Sequence, residues 1–258
     1  MLCLSRDCVN CVAFKPDNPN IVVSASDDKT IKTWNITSGS CLSTLSCDSA
    51  VLSVDLHDNC IAAGDADGKI CVFDAAAGKI KSSLKVGGDV PSIDFAPCGN
   101  KFAIACNNYL SSSYSVQIFS QDGSTGNFVC QSTLKAHSSL VLSVSWSPCG
   151  QWLASGGADK MVYIYDAKTF EVKWPLKAHS GWVKAVAWSP CGQWLTSGGH
   201  DKMIYVYDAK TFEVKWPLRG HTDVVTSVCF SSDGKKLTSG SEDSTVRNWN
   251  PATRASLS

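Results

Sequence analysis

Residues 135 to 218 hold one unit written twice in succession, and this repetition limits what the chain can fold into more than any other feature of it. Lys135 to Leu176 reads KAHSSLVLSVSWSPCGQWLASGGADKMVYIYDAKTFEVKWPL, and Lys177 to Leu218 reads KAHSGWVKAVAWSPCGQWLTSGGHDKMIYVYDAKTFEVKWPL. His137, His179 and His221 are spaced by 42 residues (137, 179, 221), the last opening a third, more diverged copy. A period of this length marks an architecture in which each copy is one supersecondary unit supported by its neighbours.

Every copy has the same internal grammar. After the His, Val144 and Trp146 (Val186 and Trp188) alternate with small residues, as a half-buried strand requires. Ser147-Pro148-Cys149-Gly150 then stops the strand, because proline cannot donate to a ladder and glycine accepts turn geometry. The pattern predicts a second strand over Trp152 to Gly156, a tight turn at Asp159-Lys160, a third strand through Val162 to Tyr165 and a fourth over Val172 to Leu176. A sheet of four such strands cannot cover both its faces alone. Stacked against its neighbours, it can.

The pattern L-x-x-H … V-x-x-V-x-W-S-P-x-G … L-x-S-G-x-x-D-K … V-x-V-Y-D resembles the WD-repeat, or beta-transducin-like, family. The resemblance implies a β-propeller in which a His, a Ser or Thr, an Asp and a Trp of each repeat form a buried hydrogen-bonded set. The matching residues are His137, Ser155, Asp159 and Tyr165; His179, Ser197, Asp201 and Tyr207; and His221, Ser239, Asp243 and Trp249. Two copies carry Tyr where the family has Trp, and a phenol hydroxyl lies elsewhere than an indole N–H, so three links are expected in these two sets.

The chain has 258 residues, with Lys and Arg equal to Asp and Glu at 23 each. This balance offers no general attraction for nucleic acid or an anionic membrane, and neither is expected as a partner. No apolar run is long enough for a membrane span, and MLCLSRD is too short for a signal peptide. The 13 cysteines, scattered through strands and turns, read as reduced thiols, so a cytoplasmic or nuclear setting is expected.

Read in order, the chain divides into six repeats at about 1–45, 46–86, 87–134, 135–176, 177–218 and 219–258. The first lacks the His, and the second has Ala63 where the Ser would sit. The third carries two polar insertions, Asn107 to Ser115 and Ser120 to Asn127, expected as surface loops. The reading is therefore all-β: a single six-bladed β-propeller of four-stranded antiparallel blades. The alternative is part of a seven-bladed propeller. Sheet edges must pair, and Met1 to Leu4 is favoured over Ala252 to Leu257 as the strand completing the last blade, since PATRASLS is a weak strand former.

Candidate chemistry is sparse. Cys8-x-x-Cys11 has no second pair opposite it, and Asp65-Ala-Asp67-Gly68 lacks the later ligands of a calcium loop. Three of the five histidines recur at one repeat position and so belong to separate sheets. No catalytic residues, metal or cofactor are expected, and the chain is read as a non-enzyme.

The two near-identical copies differ at nine positions: Ser139, Leu140, Leu142, Ser143, Ser145, Ala154, Ala158, Val162 and Ile164. Five are Val/Ile exchanges or swaps among Ser, Ala and Thr, as packing permits. The three drastic ones are Leu140 to Trp182, Leu142 to Lys184 and Ala158 to His200. The resemblance implies that these three positions share one rim of the propeller. Corresponding residues elsewhere include Asn10, Asp27, Asp89, Thr226 and Glu242, and the first insertion brings Tyr109 and Tyr114. The expected function is a non-catalytic scaffold, a monomeric propeller within a hetero-complex, that binds other proteins or peptides through this rim with Trp182 as anchor. The alternative is a reader of a modified or basic peptide at the channel mouth, with Asp27, Asp89 and Glu242 receiving the positive charge.

Overall fold

The computed structural model describes residues 7–16, 18–250 and 256–257. It is all-β, with no helix among the described residues, and its strands form six four-stranded antiparallel blades of the β-propeller class. Each blade is a simple meander. Blade 1 runs from Val9–Lys15 to Ser40–Ser46, blade 2 from Val51–His57 to Lys79–Lys85 and blade 3 from Asp89–Phe95 to Phe128–Leu134. Blade 4 runs from Val141–Trp146 to Val172–Leu176, blade 5 from Val183–Trp188 to Val214–Leu218 and blade 6 from Val225–Phe230 to Ser256–Leu257.

Blades 1 to 3, except Tyr114–Val116 and Leu134 of blade 3, make up one compact unit, and those residues belong with blades 4 to 6 to another. Within the first unit the period-two pattern sends alternate residues to opposite neighbours. Ile61, Ala63, Cys71 and Phe73 of blade 2 pack with Val23, Ala25 and Ile31 of blade 1. Ala62, Ile70 and Val72 of the same blade pack with Val90, Ile93 and Phe102 of blade 3. Blade 5 does the same in the second unit: Val183 and Val186 join Ala154, Val162 and Ile164 of blade 4, and Ile204 and Val206 join Val225, Val228 and Leu237 of blade 6. The Val, Leu, Ile and Phe side chains among them each contribute roughly 1.5–3 kcal/mol on full burial. No blade could gain this alone.

Turn chemistry holds the strands apart. In the S-P-C-G turns Gly150 and Gly192 both sit at φ 68. Their N–H groups donate to Ser147 and Ser189 at 2.8 Å.

Three expectations need correction. The fourth strand of blade 6 comes from the C-terminal tail, where Leu257 pairs with Asn248 and Ser256 with Trp249; Met1 to Leu4 lies outside the described residues. An unpaired strand edge is reason enough for a weak strand former to order. The first insertion in blade 3 is mostly strand: Lys101–Asn108 and Ser113–Gln121 lengthen the hairpin, leaving only 109–112 as its turn. Part of the second is strand as well, since Ser120 and Gln121 end the third strand. The backbone N–H groups needed partners, and extending the ladder supplied them.

Candidate partner-binding rim

In blades 4, 5 and 6 the recurring polar residues meet beneath the rim. His137 Nδ1 lies 3.0 Å from Asp159 and its Nε2 2.7 Å from Ser155 Oγ. His179 repeats this with Asp201 at 2.9 Å and Ser197 at 2.7 Å, and His221 with Asp243 at 2.8 Å and Ser239 at 2.7 Å. The N–H groups of Ser138, Ser180 and Thr222 donate to the same carboxylates at 3.0, 3.0 and 2.9 Å. Each set therefore ties the entry loop of a blade to the turn after its second strand.

The fourth link differs from the expectation for the two tyrosine copies. Tyr165 hydroxyl lies 3.2 Å from Ser155 Oγ and Tyr207 hydroxyl 3.1 Å from Ser197 Oγ, so all four members connect. In blade 6 the Trp249 indole donates to Ser239 Oγ at 2.8 Å. Blade 1 keeps a remnant, Trp34 donating to Ser24 Oγ at 3.0 Å.

Burial works against the charges of Asp159 and Asp201. The His hydrogen bond, the His field and the backbone N–H groups more than offset it, and both pKa values fall below the ordinary carboxylate value. Asp243 is lowered further, with Thr245 and Thr222 adding donors. Burial pushes the Tyr165 and Tyr207 phenols up. Blade 2 keeps the turn Asp67 but has Cys47 and Ala63 where the His and Ser stand in the other sets. Cys47 stands three residues before Ala50, as His137 does before Leu140, and burial followed by the neighbouring Cys71 pushes its thiol up to about 12.

The rim positions have a shared backbone geometry. In five blades the residue before the turn Asp donates its N–H to the carbonyl of the residue that opens the first strand. The pairs are Asp27 to Cys8, Ala66 to Ala50, Ala158 to Leu140, His200 to Trp182 and Glu242 to Val224, at 2.8 to 3.0 Å. In the same five blades a β-bulge falls two residues after that carbonyl. It leaves Asn10, Leu52, Leu142, Lys184 or Thr226 without a cross-strand partner. A bulge re-aims the extra side chain and bends the strand. The three positions that changed most between the twin copies are thus one backbone unit: bulge, strand opening and turn.

Side chains follow that backbone. Trp182 is 42% exposed and its ring lies over that of His200, centroids 4.8 Å apart at 38°. Lys184, at the bulge two residues after Trp182, is half-buried. In blade 1 the Asn10 amide donates to Asp27 Oδ1 at 2.6 Å and to Val51 O at 3.0 Å. In blade 3 Tyr109, exposed, donates to Asp89 Oδ2 at 3.0 Å, while burial raises the Asp89 pKa. Thr226 Oγ1 donates to Gly240 O at 3.2 Å, and Glu242 is exposed. Leu140 and Leu142 are half-buried, but Ala158 is buried, so its position in blade 4 offers backbone only. Tyr114 is the second residue of the third strand of blade 3 and is half-buried. Leu110, beside Tyr109 in the hairpin turn and fully exposed, was missed by sequence reasoning; its place at the tip of a polar insertion was the available signal.

Little else on the described residues resembles a chemical centre. Cys11 donates its thiol to Val54 O at 3.5 Å and burial raises its pKa. Among the described residues Asp7, Cys8 and Asp27 bring three potential ligand atoms within 4.8 Å. Asp7 and Asp27 already accept from Cys8 N and the Asn10 amide. Every described cysteine is a free thiol, and among the described residues no helix is long and apolar enough to cross a membrane.

The family described as "WD domain, G-beta repeat" matches residues 4–35, 39–74, 128–166, 170–208 and 212–250, leaving out most of blade 3. Among curated proteins, the chain is similar to "WD repeat-containing protein 1" of Rattus norvegicus, 34% identical over 128 residues, which is 46% of this chain and 20% of that protein. It is also similar to "Nuclear distribution protein PAC1" of Arthroderma benhamiae, 33% identical over 171 residues, 62% of this chain and 36% of that protein. A third is "WD repeat-containing protein AAC3" of Dictyostelium discoideum, 25% identical over 158 residues, 60% of this chain and 32% of that protein. The chain thus spans between a fifth and little more than a third of the length of these relatives. With matches over more than half of its length, the chain belongs to the WD-repeat family, whose propellers generally serve as protein-interaction scaffolds and are generally non-catalytic.

Proposed function

We propose that this chain is a non-catalytic scaffold, a single propeller domain working as a monomer within a hetero-complex in the cytoplasm or nucleus. It holds a partner through the rim built by strand openings, bulges and turns. The observation that carries this reading is the Trp182–His200 pair: two aromatic side chains in contact, at positions where the twin blade has Leu140 and Ala158. A large exposed aromatic in a fixed place offers contact area at small entropic cost, the property of an interface anchor. The buried His-Ser-Asp sets support it by immobilising the loops on which the rim stands. The basic-peptide alternative is less favoured, because Asp27 and Asp89 already accept from Asn10 and Tyr109.

The test is Trp182→Ala, with melting temperature and retrieval of bound proteins measured together. Unchanged melting with lost retrieval is the expected result. Retained retrieval would remove Trp182 as anchor.

A further inference from the structure

The rim of blade 5 holds donors without acceptors. Trp182 exposes an indole whose N–H has no hydrogen bond among the described residues, and an indole N–H donates only. Lys184 sits at the bulge two residues on, half-buried, with neither ion pair nor hydrogen bond among the described residues. The His200 imidazole lies against Trp182 and its ring nitrogens are likewise unengaged. The acidic side chain of the adjoining turn cannot serve them: Asp201 already takes His179 Nδ1 at 2.9 Å, Ser180 N at 3.0 Å and Met203 N at 3.3 Å.

The three groups stand on one backbone unit. The His200 N–H donates to Trp182 O at 2.8 Å, which fixes the turn against the strand opening. Blade 1 shows what the bulge position does with its side chain: Asn10, the counterpart of Lys184, reaches Asp27, the counterpart of His200, at 2.6 Å. Where blade 1 closes that bond internally with an amide and a carboxylate, blade 5 has an ammonium and an imidazole that cannot neutralise each other. One blade earlier, Leu140 and Leu142 stand at the matching positions and add apolar surface.

We propose that the Trp182–Lys184–His200 rim binds an acidic segment of a partner protein, one carrying Asp or Glu beside a large apolar residue. The carboxylate accepts from Lys184 and His200, and the apolar residue lies on the Trp182 ring and toward Leu140 and Leu142. A half-buried ammonium gains more from such a partner than one in free solvent, because the dielectric around it is lower. This inference rests on the reading of the rim as a partner surface and names the chemistry of what it takes.

A random peptide library displayed on phage, selected on the purified chain and in parallel on Trp182→Ala and Lys184→Glu, tests it. Peptides rich in Asp or Glu next to Leu, Phe or Trp should be enriched on the native chain and lost on both variants. A selected peptide, labelled, should bind about tenfold or more weakly when its acids become Gln, and more weakly as salt rises. Enrichment of Lys- or Arg-rich peptides, equal selection on Lys184→Glu, or no enrichment over Trp182→Ala would overturn it. The two readings separate cleanly. If peptides show no acidic preference while Trp182→Ala still loses its bound proteins from lysate, the chemistry named here falls and the rim survives; if both are unaffected, both fall.

Discussion

The indole of Trp249 donates to Ser239 Oγ at 2.8 Å and completes a buried four-residue set. The Asp243 carboxylate only accepts, so His221 Nδ1 at 2.8 Å donates to it, and in the neutral ring Nε2 is left to accept from Ser239 Oγ at 2.7 Å. One imidazole tautomer follows. In blade 4 Ser155 Oγ donates to the Tyr165 hydroxyl at 3.2 Å, and in blade 5 either Ser197 or Tyr207 can be the donor at 3.1 Å.

The difference has a stability consequence. Trp249→Phe should cost about 1–3 kcal/mol, since it leaves a buried hydroxyl short of a donor and removes packed surface. Tyr207→Phe, which gives up a longer bond that the serine can do without, should cost about 1 kcal/mol or less. Urea unfolding of both variants checks the order; equal losses would contradict it.

Acid should unfold the chain through the same sets. Asp159, Asp201 and Asp243 have native pKa values below their unfolded value of about 3.9. As pH falls through about 4 the unfolded state takes up protons first, so their contribution is present above that pH and lost below it. Asp201→Asn should flatten the acid limb of a stability-versus-pH curve. An unchanged slope would show that His179 does not hold that carboxylate in its charged form.

Asp55 behaves in the opposite sense. It accepts from Phe95 N at 2.7 Å across two blades of the first unit, and burial pushes its pKa up to about 6 against that bond. Between about pH 4 and 6 the folded chain binds this proton more tightly than the unfolded one, so stability falls as pH rises through that window. Asp55→Asn keeps an acceptor for Phe95 and should remove the dependence, read from melting temperatures at pH 5 and 7.

Adjacent residues of blade 5 should respond very differently to truncation. Trp182→Ala removes exposed surface and should change stability by less than about 0.5 kcal/mol. Val183→Ala opens a cavity where blade 5 meets blade 4 and should cost about 2 kcal/mol. Gly156→Ala attacks the same contact from the other side, because its new Cβ would lie 2.6 Å from Val183 Cγ1, and about 1–3 kcal/mol of overpacking is expected. Thermal melts of the three variants check this ranking.

Most strands were legible because period-two alternation and turn residues are local signals. Val162 to Tyr165 alternates whichever neighbour it meets, and Ser-Pro-Cys-Gly stops a strand in any context. The strand Ser256–Leu257 was not legible, since its own residues favour it little and only the open edge of the strand ending in Trp249 calls for it. The Tyr165 and Tyr207 links were also hidden. Where a phenol hydroxyl arrives depends on its rotamer and on the twist of the sheet, and residue type reports neither.

The candidate rim was half visible. Comparing the twin copies picked out Trp182, Lys184 and His200 as changed, but nothing in the text of the repeat marks Lys184 as the extra residue of a bulge. Nor does it say that Ala158 is buried while His200 is exposed. Nothing in the repeat marks Asp55, whose acceptor role and raised pKa depend on Phe95 of the neighbouring blade and on burial.

The sequence alone determined the repeat and the strand-turn rhythm, because these follow from spacing along one chain, while the pairing of each His with its Ser and Asp was implied by the family resemblance. The tertiary structure decided which strand completes the last blade, which carboxyls are raised or lowered, and which rim donors lack acceptors. Those depend on what approaches from a different blade, and burial and hydrogen-bond reach are properties of distance in space rather than of position in the chain.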